Sequence, residues 1–335
     1  MCCTAVPMWQ AIRVVILSLA AWAAAGSIAA SADDPSRRIR VAFSSTVDLG
    51  DIPSLMAHAG LVAQGYEVVP TFYARAQLAA DALARGQVDI GNGSTRTYWA
   101  AVGKGADIAT VMEQVGNGWA IVAAPGIRTC GDLHERRFAI TGDGSVSAAL
   151  ASAYLRDRCP GVEPRVVTIG GSEHRAAALL AGRIDAAPLE LAESLYLAAR
   201  APGRFRTLVS FADALPFLVT TGIHVNRAWA QQHPRALRDY LGAVLATHRA
   251  IARQPGPLVR EAQVRLRLDP SLVERIVEAH IRANVWDPNG RLTLAAVRDS
   301  LAFFVRSASL PASLAPERVA DLGALERVLD EIGRQ

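Results

Sequence analysis

Two glycine-rich segments carry the residue types best suited to holding a ligand. Gly91-Asn92-Gly93-Ser94-Thr95 follows Val88 to Ile90, which reads as a short buried strand, and leads into a helical pattern. Gly142-Asp143-Gly144-Ser145 follows the run Arg137 to Thr141 in the same way. A glycine turn leaving the carboxyl end of a parallel strand presents free backbone N–H groups at a helix N-terminus, which suits a small polar or anionic ligand. Ser94 or Thr95 serves either as helix N-cap or as a solute contact. Asn92 either contacts ligand or takes a left-handed turn. Trp119, after the glycine loop Gly116-Asn117-Gly118, is a core residue or a stacking wall. Asp48 and Glu190 are acids near strand ends and could pair with a solute amine or with a neighbouring arginine. Arg96 reads as an exposed helix arginine or as a contact for an anionic head group. The mixture of acids and arginines points to a zwitterionic or anionic organic molecule.

Enzyme signatures fail at specific positions. Gly170-Gly171-Ser172-Glu173-His174 has a histidine where a nucleophile elbow needs its last glycine. Gly91-x-Gly93-x-x-Arg96 and Gly142-x-Gly144-x-x-Ser147 lack the third glycine of a dinucleotide loop. The seven histidines have no metal-ligand spacing. No catalytic residue, metal site or cofactor is therefore expected.

The elements that must position these residues come in a repeated order. Before the first glycine segment, Gln77 to Leu83 has apolar residues at helical spacing, and Gly86 ends that helix. Ala178-Leu179-Leu180-Ala181-Gly182-Arg183-Ile184-Asp185 aligns with Ala82-Leu83-Ala84-Arg85-Gly86-Gln87-Val88-Asp89, and Arg137 to Thr141 echoes Arg38 to Phe43 at nearly the same offset. Two α/β units of like plan predict two lobes with a cleft between them; chance similarity in an alanine-rich chain is the alternative. Asp89 and Asp185, though repeated, read as structural. Strands are predicted at Tyr66 to Tyr73, Ala106 to Val115, Trp119 to Ala124, Val166 to Ile169, Ile184 to Leu189, Arg206 to Phe211 and Phe217 to His224. From Arg227 the pattern is almost all helix, with Arg235 to Ala252, Ser271 to Val285, Leu294 to Arg306 and Glu317 to Ile332 separated by proline and glycine breaks. This tail should cover the first lobe and brace the hinge.

The 335 residues are 51% hydrophobic and 20% charged, enough for two lobes with separate cores. Formal net charge is +4, Lys104 is the only lysine, and the arginines are interleaved with acids, so no nucleic-acid-binding stripe is present. Arg13, the apolar run Val14 to Ala25 and the small-residue site Ala30-Ser31-Ala32 predict a cleavable export signal over residues 1–32. A retained signal anchor is the competing reading, although the run falls short of the ~20 apolar residues a span needs. Cys130 and Cys159 remain after cleavage and would face an oxidising compartment, as a disulfide or as two separate buried thiols.

Five stretches carry a family resemblance: ALARGQVDIGNGS at Ala82 to Ser94, KGADIATVMEQVGNGWAIVA at Lys104 to Ala123, CGDLHERRFAI at Cys130 to Ile140, ALLAGRIDAAPLE at Ala178 to Glu190, and NGRLTLAAVRDSLAFFV at Asn289 to Val305. In this order they resemble ABC-transporter substrate-binding proteins of the nitrate, sulfonate and taurine class, which includes carriers of thiamine-pyrimidine precursors. The resemblance implies an α/β, two-lobed periplasmic binding protein fold of type II, with two hinge strands and an α-helical C-terminal tail packed on lobe one. Lobe one would take residues 33–122 and 223–335, and lobe two residues 123–222. The implied ligand loops are Ser44 to Asp48, Asn92 to Thr95, Gln114 to Trp119, Gly142 to Ser147 and Pro188 to Glu193. They supply the candidate ligand-binding residues Ser44, Ser45, Asp48, Asn92, Ser94, Thr95, Asn117, Trp119, Asp143, Ser145 and Glu190. The implied role is periplasmic capture of a small-molecule solute for an ABC permease, by a monomer. An exported enzyme or a sensor module reusing the fold is the alternative; family relatives that make the thiamine pyrimidine need a lysine-bound cofactor and a cysteine-rich motif, and this chain lacks that motif. The segment DLGDIPSLMAHAGLVAQGYEVV departs from the family's usual longer helix and Gly-Leu-Phe phrase, so relatives' solutes do not carry over.

Overall fold

The computed structural model describes residues 35–44, 47–307 and 310–335. The expected export signal lies outside them, as does Ser45. The first lobe opens with β1 (Arg38–Ser44), α1 (Ile52–Ala63), β2 (Glu67–Tyr73), α2 (Ala76–Ala84), β3 (Ile90–Ser94), α3 (Thr95–Gly103) and β4 (Ile108–Val115). The chain then crosses to β5 (Ala120–Ala123), β6 (Arg137–Ile140), α4 (Val146–Arg158), β7 (Arg165–Thr168), α5 (Ser172–Leu180), β8 (Ala186–Leu189), α6 (Leu191–Arg200), β9 (Arg206–Ser210) and α7 (Phe211–Ala214). It returns through β10 (Thr221–Asn226) to α8 (Arg227–Gln232), α9 (Pro234–Arg253), α10 (Gly256–Leu266), α11 (Pro270–Arg282), α12 (Leu294–Arg306), α13 (Pro316–Val319) and α14 (Gly323–Ile332).

Two five-stranded sheets share one plan. The first runs β2-β1-β3-β10-β4 and the second β7-β6-β8-β5-β9. In each, three parallel strands adjoin one strand that is antiparallel to both its neighbours. That antiparallel strand is β10 in one sheet and β5 in the other, and each enters just after the chain crosses between lobes. The architecture is α/β, the two-lobed type II arrangement with two hinge crossings.

The repeat seen in the sequence has a physical basis at the amino ends of the strands. Asp89 accepts hydrogen bonds from the Arg40 backbone N (2.8 Å) and guanidinium Nε (3.0 Å). Asp185 accepts the same two from Arg137, at 2.8 and 3.0 Å. Each clasp ties the first strand of a unit to the loop entering the third.

The C-terminal helices pack on lobe one: Tyr240, Leu241, Val244 and Leu245 of α9 share a core with Phe43, Leu61 and Ile90. Leu272, Val273, Ile276 and Val277 of α11 form a second core with Leu49 and Ile52, onto which Leu191, Leu195 and Tyr196 of lobe two also pack. The tail thus touches both lobes on one side. Helix α10 was missed in the sequence because Pro255-Gly256-Pro257 reads as a break. Proline is tolerated in the first turn of a helix, where its missing N–H has no intrahelical partner, and the helix starts there instead.

The first glycine segment differs from expectation. Gly91-Asn92-Gly93-Ser94 is strand rather than turn: it pairs with β1 through Phe43↔Asn92 and antiparallel with β10 through Ile223↔Asn92 and Thr221↔Ser94. Backbone groups expected to be free are engaged in that ladder. The glycines serve close approach, since a Cβ on Gly91 would run into the Tyr98 ring and one on Gly93 would meet Ser44 Oγ at 2.6 Å.

Candidate functional site

The carboxyl ends of β1, β3, β6 and β8 meet where the lobes face each other. The β1–α1 loop reaches lobe two through Val47 and Leu49, which pack in one apolar cluster with Leu191, Ala192 and Leu195 of α6. The Arg96 side chain at the start of α3 lies against Gly144, whose φ of +74° opens the second glycine segment toward it. Gly118 in the hinge approaches Leu191 closely enough that an added Cβ would lie 3.2 Å from the leucine Cβ. A small cavity of about 30 Å³ sits among Trp119, Glu190, Thr220 and Thr221. A larger one of about 180 Å³ lies away from the cleft, among Ala109, Arg227, Leu237 and Arg327 at the far end of β4 and β10.

The facing surfaces are rich in carboxylates. Asp48 and Asp51 come from lobe one, and Glu173, Glu190 and Glu193 from lobe two. Their charges reach one another across the gap: Asp48 and Asp51 both act on Glu190, and Asp48 and Glu173 act on Glu193. Burial, followed by this mutual repulsion, raises Asp51 and Glu190 well above the ordinary carboxylate range and pushes Glu193 up to about 7. Asp48 is raised by desolvation first and by the charge of Glu173 second, and because it still touches solvent both effects are partly screened. Asp51 is held by the Gln114 amide at 3.2 Å and by the turn in which its own N–H donates to Asp48 at 3.1 Å.

Arg175 supplies the opposing charge. It is fully buried, with Nε on the Pro188 carbonyl (3.0 Å) and Nη1 on Thr141 Oγ1 (2.7 Å) and the carbonyls of Ile169 and Gly171. Its Nη2 has no partner among the described residues. The Trp119 ring lies 5.9 Å from the guanidinium carbon.

The candidates from the sequence divide into two groups. Asp48, Trp119 and Glu190 fall at the cleft together. Ser145 caps α4 through Ala148 N at 3.1 Å and bonds Ser147, and Asp143 beside it is exposed. Ser44 donates to the Asn92 carbonyl and Ser94 accepts from Thr97, both local contacts. Asn92 is buried beneath the C-terminal helices with its amide on Tyr240 Oη at 3.3 Å, and Thr95 is buried with its N–H on the Thr220 carbonyl. Asn117 is a hinge fastener: its amide donates to the Phe211 and Leu215 carbonyls while its oxygen receives Trp119 N–H. Cys130 and Cys159 stand side by side with Cα atoms 5.5 Å apart, a separation a disulfide spans.

Asp51, Glu193 and Arg175 were not singled out in the sequence. Asp51 stands at the N-cap position of α1, and aspartate there is ordinarily read as a cap, yet its side chain does not cap the helix. Glu193 lies inside a loop flagged for ligand contact, but as a first-turn acid it reads as a complement to the helix dipole. Arg175, amid SEHRAAALL, shows no local sign of burial.

The sequence matches the pattern of the NMT1/THI5-like family over residues 61–257, more than half of the chain. The chain belongs to the NMT1/THI5-like family. No curated protein matches its sequence. Among solved structures, this family member resembles the periplasmic nitrate-binding protein NrtA from Synechocystis PCC 6803, with a TM-score of 0.71 at 13% identity, covering 89% of each chain. It also resembles the periplasmic aliphatic sulphonate binding protein SsuA from Escherichia coli, with a TM-score of 0.67 at 15% identity, covering 85% of this chain and 92% of that one. The alkanesulfonate-binding protein SsuA from Xanthomonas axonopodis pv. citri, bound to MOPS, aligns with a TM-score of 0.64 at 19% identity, covering 89% of this chain and 99% of that one. At these identities the likeness is one of fold.

Proposed function

We propose that this protein is the solute-binding component of an ABC importer, capturing a small polar organic solute in the cleft between its lobes. The observation that carries the reading is the paired sheet plan, with one antiparallel strand entering each sheet beside a hinge crossing, and with polar loops from both lobes meeting at the strands' carboxyl ends. Lobe one carries β1 to β4, β10 and the C-terminal helices, and lobe two carries β5 to β9. Closure of the lobes commits the solute, and the hinge at Asn117 and the α7 turn takes up the backbone change. Between the two solute classes expected from sequence, the carboxylates of the cleft support a zwitterion over a simple anion.

The leader at residues 1–32 directs export, and the mature protein acts in the periplasm as a monomer that docks on its permease. In that oxidising space Cys130 and Cys159 close as a disulfide, pinning the segment before β6 to the end of α4.

Calorimetry of the mature protein over carboxylates, sulfonates, amines and pyrimidines tests the reading. The expected result is saturable binding of a solute that is recovered chemically unchanged, with a smaller radius of gyration in scattering. Chemical conversion of the bound solute, or the absence of any binding together with an unchanged radius, contradicts it.

A further inference from the structure

We infer that the solute carries a cationic nitrogen group, an ammonium, amidinium or guanidinium, seated between the Asp48–Asp51 loop of lobe one and the Glu190–Glu193 turn of lobe two. The inference rests on the solute-binding reading and narrows it.

Charge is the first observation. Asp48, Asp51, Glu173, Glu190 and Glu193 face one another, while Arg175 and Arg96 are the nearby arginines. An anion entering such a cleft adds to the repulsion, and a cation relieves it. The carboxylates are spread over the starts of α1, α5 and α6: among the described residues no three acidic, histidine or cysteine side chains converge as a metal ion requires. An organic cation distributes its N–H donors over that span.

Gln114 is the second observation and is independent of charge. It is 1% exposed. Its Nε2 is fixed on Asp51, so the amide end lies at the same carboxylate, and its Oε1 receives no hydrogen bond from any described residue. A buried acceptor without a donor is costly, and the groups beside it are acceptors too. What this corner lacks is N–H donors, and a nitrogen cation with several of them supplies that need.

The opposite wall has the reverse deficit. Arg175 Nη2 is a buried donor without an acceptor, beside the Trp119 ring. A carboxylate, carbonyl or amide oxygen at the far end of the solute satisfies it. The site therefore fits a compact molecule with a cationic nitrogen at one end and an acceptor at the other, its middle along Trp119.

The test is titration calorimetry of the mature protein at pH 8 with agmatine, L-lysine, 6-aminohexanoate and 1,5-diaminopentane, against glutarate and pentane-1-sulfonate. We expect binding within the nitrogen-cation set and none from the two anions. Glu193→Gln and Asp51→Asn should each weaken the bound probe by roughly tenfold or more. Glu173→Gln, at an exposed position that folding tolerates, should weaken it by about threefold. Binding of glutarate or the sulfonate without any amine overturns the inference and leaves the solute receptor standing. Amine binding untouched by the three substitutions also overturns it. Silence from every probe of both charges counts against the inference, and if scattering also shows no closure in the wider screen, the solute-binding reading falls with it.

Discussion

Arg40–Asp89 in lobe one and Arg137–Asp185 in lobe two are the same clasp, atom for atom, at the same corner of two sheets with the same strand order. At the other end of those sheets the likeness stops. Lobe one's glycine segment is locked into a β-ladder and roofed by α9, so Asn92 faces Tyr240. Lobe two's glycine segment is a true loop, closed on itself by Ser145, which donates to the Gly142 carbonyl, and by Ser147, which accepts from Thr141 N–H. The difference comes from the tail. The chain returning through β10 closes over lobe one's clasp, where Asn226 N–H donates to the Asp89 carbonyl, and α9 covers its strand ends, whereas the tail meets lobe two at α6 and at the end of α4. Repetition fixes the frame, and what is laid over each copy decides which polar groups remain available to a solute.

The largest predicted difference between the lobes is in acid. Burial pulls His224 down to about 3 and His58, His248 and His280 down to about 4, and all four lie in lobe one or its tail. His134 and His174 of lobe two are exposed. The buried four are neutral when folded and charge when unfolded, so stability should fall as pH drops below about 6.5 toward 4, by several kcal/mol in total. The cleft acids act oppositely, because a raised pKa favours the folded protein as pH falls through it. Hydrogen exchange at pH 5 should show lobe one and the tail opening before lobe two; the reverse order breaks the comparison.

The clasps come next. Asp89 is 2% exposed and Asp185 is half-buried. Asp89→Ala leaves a buried backbone N–H and part of a guanidinium without an acceptor, which should cost about 3 kcal/mol in urea unfolding. Asp185→Ala loses a pair that water partly replaces, about 1 kcal/mol. Equal losses would mean that the deeper burial of lobe one's clasp is energetically irrelevant.

Glycine substitutions sharpen the contrast further. Gly91→Ala drives a methyl into the buried Tyr98 ring, which is stacked on His224 with centroids 4.0 Å apart, and should destabilise by about 2 kcal/mol. Gly144→Ala meets the movable end of Arg96 and mainly strains a left-handed φ, costing about 1 kcal/mol. Its larger effect should be on solute affinity.

The repeat, most strand positions and the helical tail were legible in the sequence because each leaves a local mark: Gly-x-x-Asp at a strand entrance, apolar periodicity, proline and glycine breaks, whereas the strand order came only with the structure. The polar site was legible only in part. Asp48, Trp119 and Glu190 follow strand ends and could be read there. Asn92 near the end of β3 and Asn117 in the hinge loop are polar residues where the sequence expects ligand contacts, yet their amides donate to Tyr240, Phe211 and Leu215, partners 94 or more positions away that no local pattern reveals. The ladder that occupies lobe one's glycine strand is likewise formed with β10, far along the chain. Asp51 and Glu193 look like ordinary helix starts until the opposite lobe brings a second set of acids to face them.

That confrontation of acids can be measured without knowing the solute. Burial and the charge of Asp48 push Glu193 up to about 7, and its neighbour Glu190 lies opposite Asp48 and Asp51, so the free protein should hold its lobes together while Glu193 is protonated and part as pH rises through 7. Spin labels at the exposed positions Lys104 and Arg183 would report the separation by pulsed EPR at pH 5.5 and 8.5. We predict a longer, broader distance distribution at pH 8.5, and little change between the two pH values when Glu190→Gln and Glu193→Gln are combined. Identical distributions at both pH values, or a pH response that survives the double substitution, would contradict the account.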